Sequence, residues 1–215
     1  MNLVSANDQL VNIAQICRGC PTATLRRAFV RALREWAQQT MWLTTNVQGT
    51  LVTGQQQYTL GNDPDLDIVA LKGMQGTLAQ PTGNQYFFLT PSDPTTWDPN
   101  MQPGIPGRYA YVPQAQFAVA PIPNQDIPVL ITIAVQPKEG AVNIPADPLI
   151  KYSNEIESGA LAYLYQLPGQ PWSNPNLALV EAKRFSAGIA NGKSDVQRKF
   201  NTGTQRARPR PILFR

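Results

Sequence analysis

Two groupings of side chains have the types and spacing for chemistry. Cys17-Arg-Gly-Cys20 is a C-x-x-C. As a redox pair it would use Arg18 and the start of the following helix to lower a thiol pKa. As half of a zinc site it needs two more Cys or His ligands, and the sequence has no histidine and no third cysteine. An ion shared by two copies would be the only way to complete it. The plainer reading is a tight turn between two helices with small buried sulfurs. Asp63, Asp65 and Asp67 in Asn-Asp-Pro-Asp-Leu-Asp have the look of a divalent-cation loop. An EF-hand would place Gly at its sixth position and Glu at its twelfth, where this chain has Ile68 and Met74. A solvated acidic turn before a strand accounts for them as well. Glu155 and Glu157 lie two apart in a helical pattern and point different ways, so they make no carboxylate pair.

The lack of histidine removes the commonest general base and the Ser-His-Asp and Cys-His arrangements. Glycines are scattered as turn residues, with no Walker or dinucleotide pattern. The sequence therefore predicts no catalytic residue, no metal site and no cofactor: a binding or structural protein, not an enzyme.

Charge is the next clue, and it is local. The net charge is +4. Arg198, Lys199, Arg206, Arg208, Arg210 and Arg215 are all basic, and no acid follows Arg198, so the rest of the chain is slightly acidic. From Thr40 to Pro148 only Lys72, Arg108 and Lys138 stand against eight acids. The basic end combines Arg206, Arg208 and Arg210 with an apolar Ile212-Leu213-Phe214 cluster. A purely electrostatic DNA arm has no use for that cluster, whereas a peptide docking in a groove uses both parts. A second basic feature, Arg27/Arg31/Arg34, is a helical stripe without interleaved aromatics. It fits a solvated or subunit-facing surface better than a nucleic-acid platform.

These residues must be held by elements, and the pattern names them. Ser5-Ala-Asn-Asp8 resembles a capping box opening a short helix to about Cys17, with Leu10, Val11, Ala14 and Cys17 as its buried face. Pro21 starts a helix to about Met41, with Leu25, Ala28, Phe29, Ala32, Leu33 and Trp36 on one side and Arg27, Arg31, Arg34 and Gln38 on the other. Seven short strands follow: 44–52, 57–60, 68–72, 86–89, 108–112, 116–120 and 129–135. Helices return after Asp147. Leu149, Ile156, Ala160, Tyr163, Leu164 and Leu167 share one face. Pro168, Gly169, Pro171 and Trp172 make a rigid corner, with Trp172 expected to be largely buried in it. Ser173 or Asn174 caps a second helix at Pro175, whose core face is Ala178, Ala182, Phe185 and Ile189. Leu177, Leu179 and Val180 lie off that face and imply cover from a neighbouring subunit.

The fold class is thus α+β. Residues 1–42 and 147–197 give N- and C-terminal helices of one bundle. Residues 43–146 form an inserted small antiparallel β-sandwich or barrel, and 198–215 an extended basic C-terminal arm. At 215 residues the chain can bury about 70% of its unfolded surface without staples. No signal peptide is visible at Met1–Gln9 and no apolar run reaches membrane-spanning length, so cytosolic synthesis and no membrane are expected.

Four stretches carry a resemblance, in order. Cys20-Pro through Arg34-Glu-Trp36 is one, and Thr50-Leu-Val-Thr-Gly-Gln-Gln-Gln-Tyr-Thr-Leu60 the second. Tyr109 to Pro123 with its Pro-x-Pro step is the third, and Gly159-Ala-Leu-Ala through Pro168-Gly-Gln-Pro-Trp-Ser-Asn-Pro175 the fourth. Together they resemble the head–tail adaptor (connector) proteins of tailed bacteriophages. The resemblance implies a structural virion protein of the neck, made in the host cytoplasm. It implies a homo-oligomeric ring, dodecameric as a rule in that family, beneath the portal protein, docking tail or nozzle proteins while genomic DNA passes without sequence-specific binding. Arg206, Arg208, Arg210, Ile212, Leu213 and Phe214 are then candidates for portal binding. Arg27, Arg31, Arg34, Leu179 and Val180 are candidates for the subunit interface or channel. The alternative is a DNA-binding accessory protein using the Arg-rich helix and the basic tail.

Overall fold

In the computed structural model, residues 2–200 are described apart from 62, 81, 82, 99, 113 and 114. The chain is α+β. The helices are α1 (Val11–Ile16), α2 (Thr22–Thr40), α3 (Asp147–Tyr165) and α4 (Pro175–Phe200). The strands are β1 (Leu3–Ser5), β2 (Thr44–Leu51), β3 (Gln57–Thr59), β4 (Leu66–Gln80), β5 (Gly83–Pro91), β6 (Arg108–Val112), β7 (Gln116–Ala120), β8 (Ile127–Pro137) and β9 (Asn143–Pro145).

Strand pairing gives one curled seven-stranded sheet in the order β2-β8-β4-β5-β6-β7-β3. Neighbours are antiparallel except β5 and β6, which run parallel over only two residue pairs, Thr90↔Arg108 and Pro91↔Tyr109. The sheet therefore bends at that seam into a four-stranded and a three-stranded part. β4 is the backbone of the larger part. The sequence predicts its end at Lys72, yet it runs on to Gln80. Gly73 and Gly76 interrupt the β-forming pattern there, and pairing with β5 overrides them. A Cβ on Gly76 would lie 2.3 Å from Cζ of the Phe87 ring, so any larger residue there would have to displace that ring. A separate ribbon, β1 against β9, ties the start of the chain to the segment before α3. Neither strand was legible, since three residues carry no period.

The helices follow their patterns with instructive departures. In α2 all six predicted core residues are buried, joined by Val30 and Ala37. In α1 the buried residues are Ile13 and the flanking Leu10 and Cys17, whereas Val11 and Ala14 are exposed. Leu10 and Cys17 are buried as expected, while Val11 and Ala14 are not, because Ala6–Gln9 is a 3-10 turn, capped by Ser5 Oγ accepting from the Asn7 N–H, and this offsets the register before α1 begins. α3 bends at Tyr152 (φ −121°), whose ring packs 4.9 Å from that of Trp36 and whose hydroxyl donates to Asp195 at 2.5 Å. Leu167, expected in the core, lies beyond the end of α3 and is exposed.

The corner forms as predicted at its cap. Asn174 Oδ1 accepts from the Leu177 N–H at 3.2 Å, and Pro175 opens α4. Asn174 N–H and Ser173 Oγ both bond the Tyr165 carbonyl, at 3.0 and 3.3 Å, folding the corner back on α3. Trp172 is partly buried: it packs against the core and its indole Nε1 is enclosed, in keeping with the largely buried ring expected. Gly169 takes a left-handed φ of 73° in the turn that brings the indole onto the core.

α2, α3 and α4 pack on one another, and α2 also packs on β8. One continuous core runs from Phe29, Leu33, Trp36 and Ile156 into Leu43, Met74, Ile131 and Ile133 of the sheet. Close helix approach relies on small residues. A Cβ on Gly159 would sit 2.7 Å from the Phe185 ring, and one on Gly192 would sit 2.7 Å from Thr40 Cγ2.

Candidate interaction surfaces

The three arginines of α2 line a cleft of about 660 Å3 between α2, the end of α3 and the Glu139-Gly140 turn. Helical spacing brings them to one face, as predicted, but their surroundings differ. Arg34 Nη1 donates to Asp67 Oδ2 at 3.0 Å and to the Pro137 carbonyl at 2.8 Å, holding the helix to β4 and β8. Arg31 lies over Tyr163, with Cζ 4.3 Å from the ring centroid, a cation–π arrangement. The Tyr163 hydroxyl in turn donates to Glu35. Burial first, then that bond and the Glu35 charge, push the Tyr163 hydroxyl up to about 12. Arg27 is exposed and lines the same cleft. The floor is apolar, from Val30 and Leu164.

A second surface surrounds the corner. Leu177, Leu179 and Val180 of the first turns of α4 are exposed, Leu179 by 65%. Leu167 adds to it from the other side of the corner. This patch is apolar because α4 spends its core face, Ala178, Phe185 and Ile189, on α3 and α2.

The groups with chemical potential take structural positions. Cys17 is buried and Cys20 half-buried across a turn in which the Cys20 N–H donates to the Cys17 carbonyl at 3.1 Å. Burial, then the neighbouring Cys20, push the Cys17 thiol up to about 11, the wrong direction for a nucleophile. Asp63 Oδ1 accepts from the Asp65 N–H at 2.8 Å, and Asp67 is engaged by Arg34. Among the described residues no group of three or more His, Cys, Asp or Glu side chains could hold a metal ion. Glu157 accepts from Asn12 and Ser153, while the Glu155 side chain lies against Gly188, so the two glutamates face different neighbours.

Pattern reasoning missed the fastening of α4. Lys151 and Tyr152 of α3 both donate to Asp195. The bonds from Lys151 and then Tyr152 hold the Asp195 carboxyl below its usual range. Tyr152 sits in the core pattern of α3, Lys151 is exposed, and the partner is 43 residues away from Tyr152, so no spacing signal pointed to it. Arg206, Arg208, Arg210, Ile212, Leu213 and Phe214 lie outside the described residues.

The helix–corner–helix at the C-terminal side and the Cys-Pro helix at the N-terminal side thus stand where the resemblance placed them. Comparison with family models extends this over nearly the whole chain: the SU10 adaptor protein family matches residues 5–210. The chain belongs to the SU10 adaptor family. It is a structural adaptor protein of a bacteriophage, as its resemblance to head–tail adaptors implied. A search of the curated proteins found no match. Among the described residues of the adaptor, no helix is long and apolar enough to cross a membrane.

Proposed function

We propose that copies of this adaptor assemble as a ring beneath the portal protein, lengthen the DNA channel and present a platform for tail or nozzle proteins, without catalysing a reaction. The observation that carries this reading is the adaptor-family match over residues 5–210. The uncovered apolar patch at Leu177, Leu179 and Val180 supports it, because such a patch calls for a neighbour. In this reading the helices of 1–42 and 147–197 act as one unit, and the sheet of 43–146 is inserted between them. The face built by Arg27, Arg31 and Arg34, together with Leu179 and Val180, meets the adjacent subunit or the lumen. Residues 198–215 form the portal-binding arm. Its arginines, Arg206, Arg208 and Arg210, meet acidic or carbonyl groups while Ile212, Leu213 and Phe214 fill a groove. The acid excess of 40–148 suits a channel that lets DNA slide.

The test is a pull-down on portal rings with the full chain and with a chain ending at Asn201, each sized by light scattering. The full chain is expected to form closed homo-oligomers on the portal. The truncated chain is expected to fold with nearly unchanged stability and to lose portal binding. Normal portal binding by the truncated chain, with loss of salt-dependent DNA affinity instead, would favour a DNA-binding accessory protein and defeat the proposal.

A further inference from the structure

The larger part of the sheet, β2-β8-β4-β5, is antiparallel throughout and has two open sides. Among the described residues β2 pairs with β8 alone. β5 pairs with β4 along its length but meets β6 only at Thr90 and Pro91, so among the described residues no strand pairs with the second side of Gly83–Leu89.

Backbone alternation says which groups are open. The Leu43 carbonyl accepts from the Val135 N–H of β8 at 3.0 Å. Counting from there, Asn46, Gln48 and Thr50 turn their backbone N–H and C=O away from β8. In β5 the Thr90 N–H leaves β4 to donate to the Gly107 carbonyl at 2.9 Å. By the same count Asn84, Tyr86 and Phe88 face away from β4.

Neither edge is guarded. Natural sheets blunt open edges with Lys, Pro or a bulge. Thr44–Leu51 and Gly83–Thr90 contain no charged residue and no proline, and their pairing with β8 and β4 is unbroken by a bulge. Tyr86 and Phe88 are 60% and 74% exposed, and Asn46, Gln48 and Thr50 are exposed as well. Edges so built invite pairing. The two match each other in length to within one residue. They also match in direction: four antiparallel strands alternate, so β5 of one copy meets β2 of the next antiparallel without either being turned over. Side chains on the joined face would be Asn, Gln, Thr, Tyr and Phe, with no like charges opposed.

We propose that β5 of one copy adds to β2 of a second copy, continuing the sheet from subunit to subunit. The inference rests on the ring reading above and names its contact. Such a contact is heterologous, using a different surface on each partner, which is the kind that propagates and closes into rings.

Two full-length variants test it. Tyr86→Pro blocks the β5 edge and Gln48→Pro blocks the β2 edge, each removing an outward N–H. Phe88→Lys and Gln48→Lys, at exposed positions, replace them if circular dichroism shows that a proline variant misfolds. Adaptor–adaptor species are read by light scattering in solution and by cross-linking on portal rings. Wild type is expected to form closed oligomers, and each variant alone to lose them. An equal mixture is expected to stop at a one-to-one dimer, since one usable edge remains on each chain. If both variants still form wild-type oligomers, strand addition is wrong while the ring stands. If the β2-blocked variant dimerises alone, β5 pairs with itself and the head-to-tail form is overturned. If wild type forms no homo-oligomer in either setting, this contact and the ring reading fall together.

Discussion

Arg34 shows how one position on a stripe departs from its neighbours. Its guanidinium is half-buried between Asp67 and the Pro137 carbonyl, so it works as a strut between helix and sheet. Arg34→Ala is expected to lower stability by about 1–2 kcal/mol in urea unfolding, mostly through the charged hydrogen bond to the carbonyl rather than the partly solvated ion pair. Arg27→Ala, at an exposed position, should leave the midpoint unchanged. Tyr163 supplies a pH-dependent counterpart. Its folded pKa of about 12 lies above the ordinary tyrosine value of 10.0, so its contribution is full below pH 10 and is lost as pH rises from 10 toward 12. Spectrophotometric titration of the folded protein should show a late-ionising tyrosine that is missing in Tyr163→Phe. The spacing of Arg27, Arg31 and Arg34 was legible because a helix repeats regularly. Their separate roles were not, since Tyr163, Asp67 and Pro137 come from distant segments that only the fold brings together.

Among the elements, the C-terminal helix pair was the most legible, because caps and corners are local chemistry. Asn174→Ala should cost about 1 kcal/mol by freeing the Leu177 N–H at the start of α4, measured as a lower thermal midpoint. Trp172→Ala should cost somewhat less than truncation of a fully buried indole, whose removal typically costs about 3–5 kcal/mol, since the residue keeps some solvent exposure. The α3–α4 contact was not legible, because a glycine in a helical pattern looks like a weakness. Gly159→Ala should raise local helix propensity and still destabilise the protein by about 1–3 kcal/mol, as the new methyl meets the Phe185 ring. An unchanged or higher midpoint would mean that the helices separate freely. Strand positions were read well from β-branched runs between turns. The length of β4 was not, because its second half is defined by its partner β5 rather than by its own residues.

For the whole molecule, the order of helices, strands and helices and the long loop-rich middle were legible from pattern alone. The curl of the sheet at the short β5–β6 seam was not, since it depends on which strands fail to pair. The described core is continuous from the helices into the sheet, and three kinds of tie reinforce that junction. Arg34 fastens α2 to the ends of β4 and β8. The β1–β9 ribbon, extended by the Ala6 N–H to the Val142 carbonyl and the Ala146 N–H to the Asn2 carbonyl, fastens the beginning of the chain to the return segment. The packing of α2 on β8 supplies the third. A mechanical consequence follows. A single connection would act as a hinge, about which the sheet could swing under load. An ion pair, a strand ribbon and a packed helix–sheet surface together oppose such a swing more than any one of them would, so a push on the sheet reaches the helices with less bending at the junction.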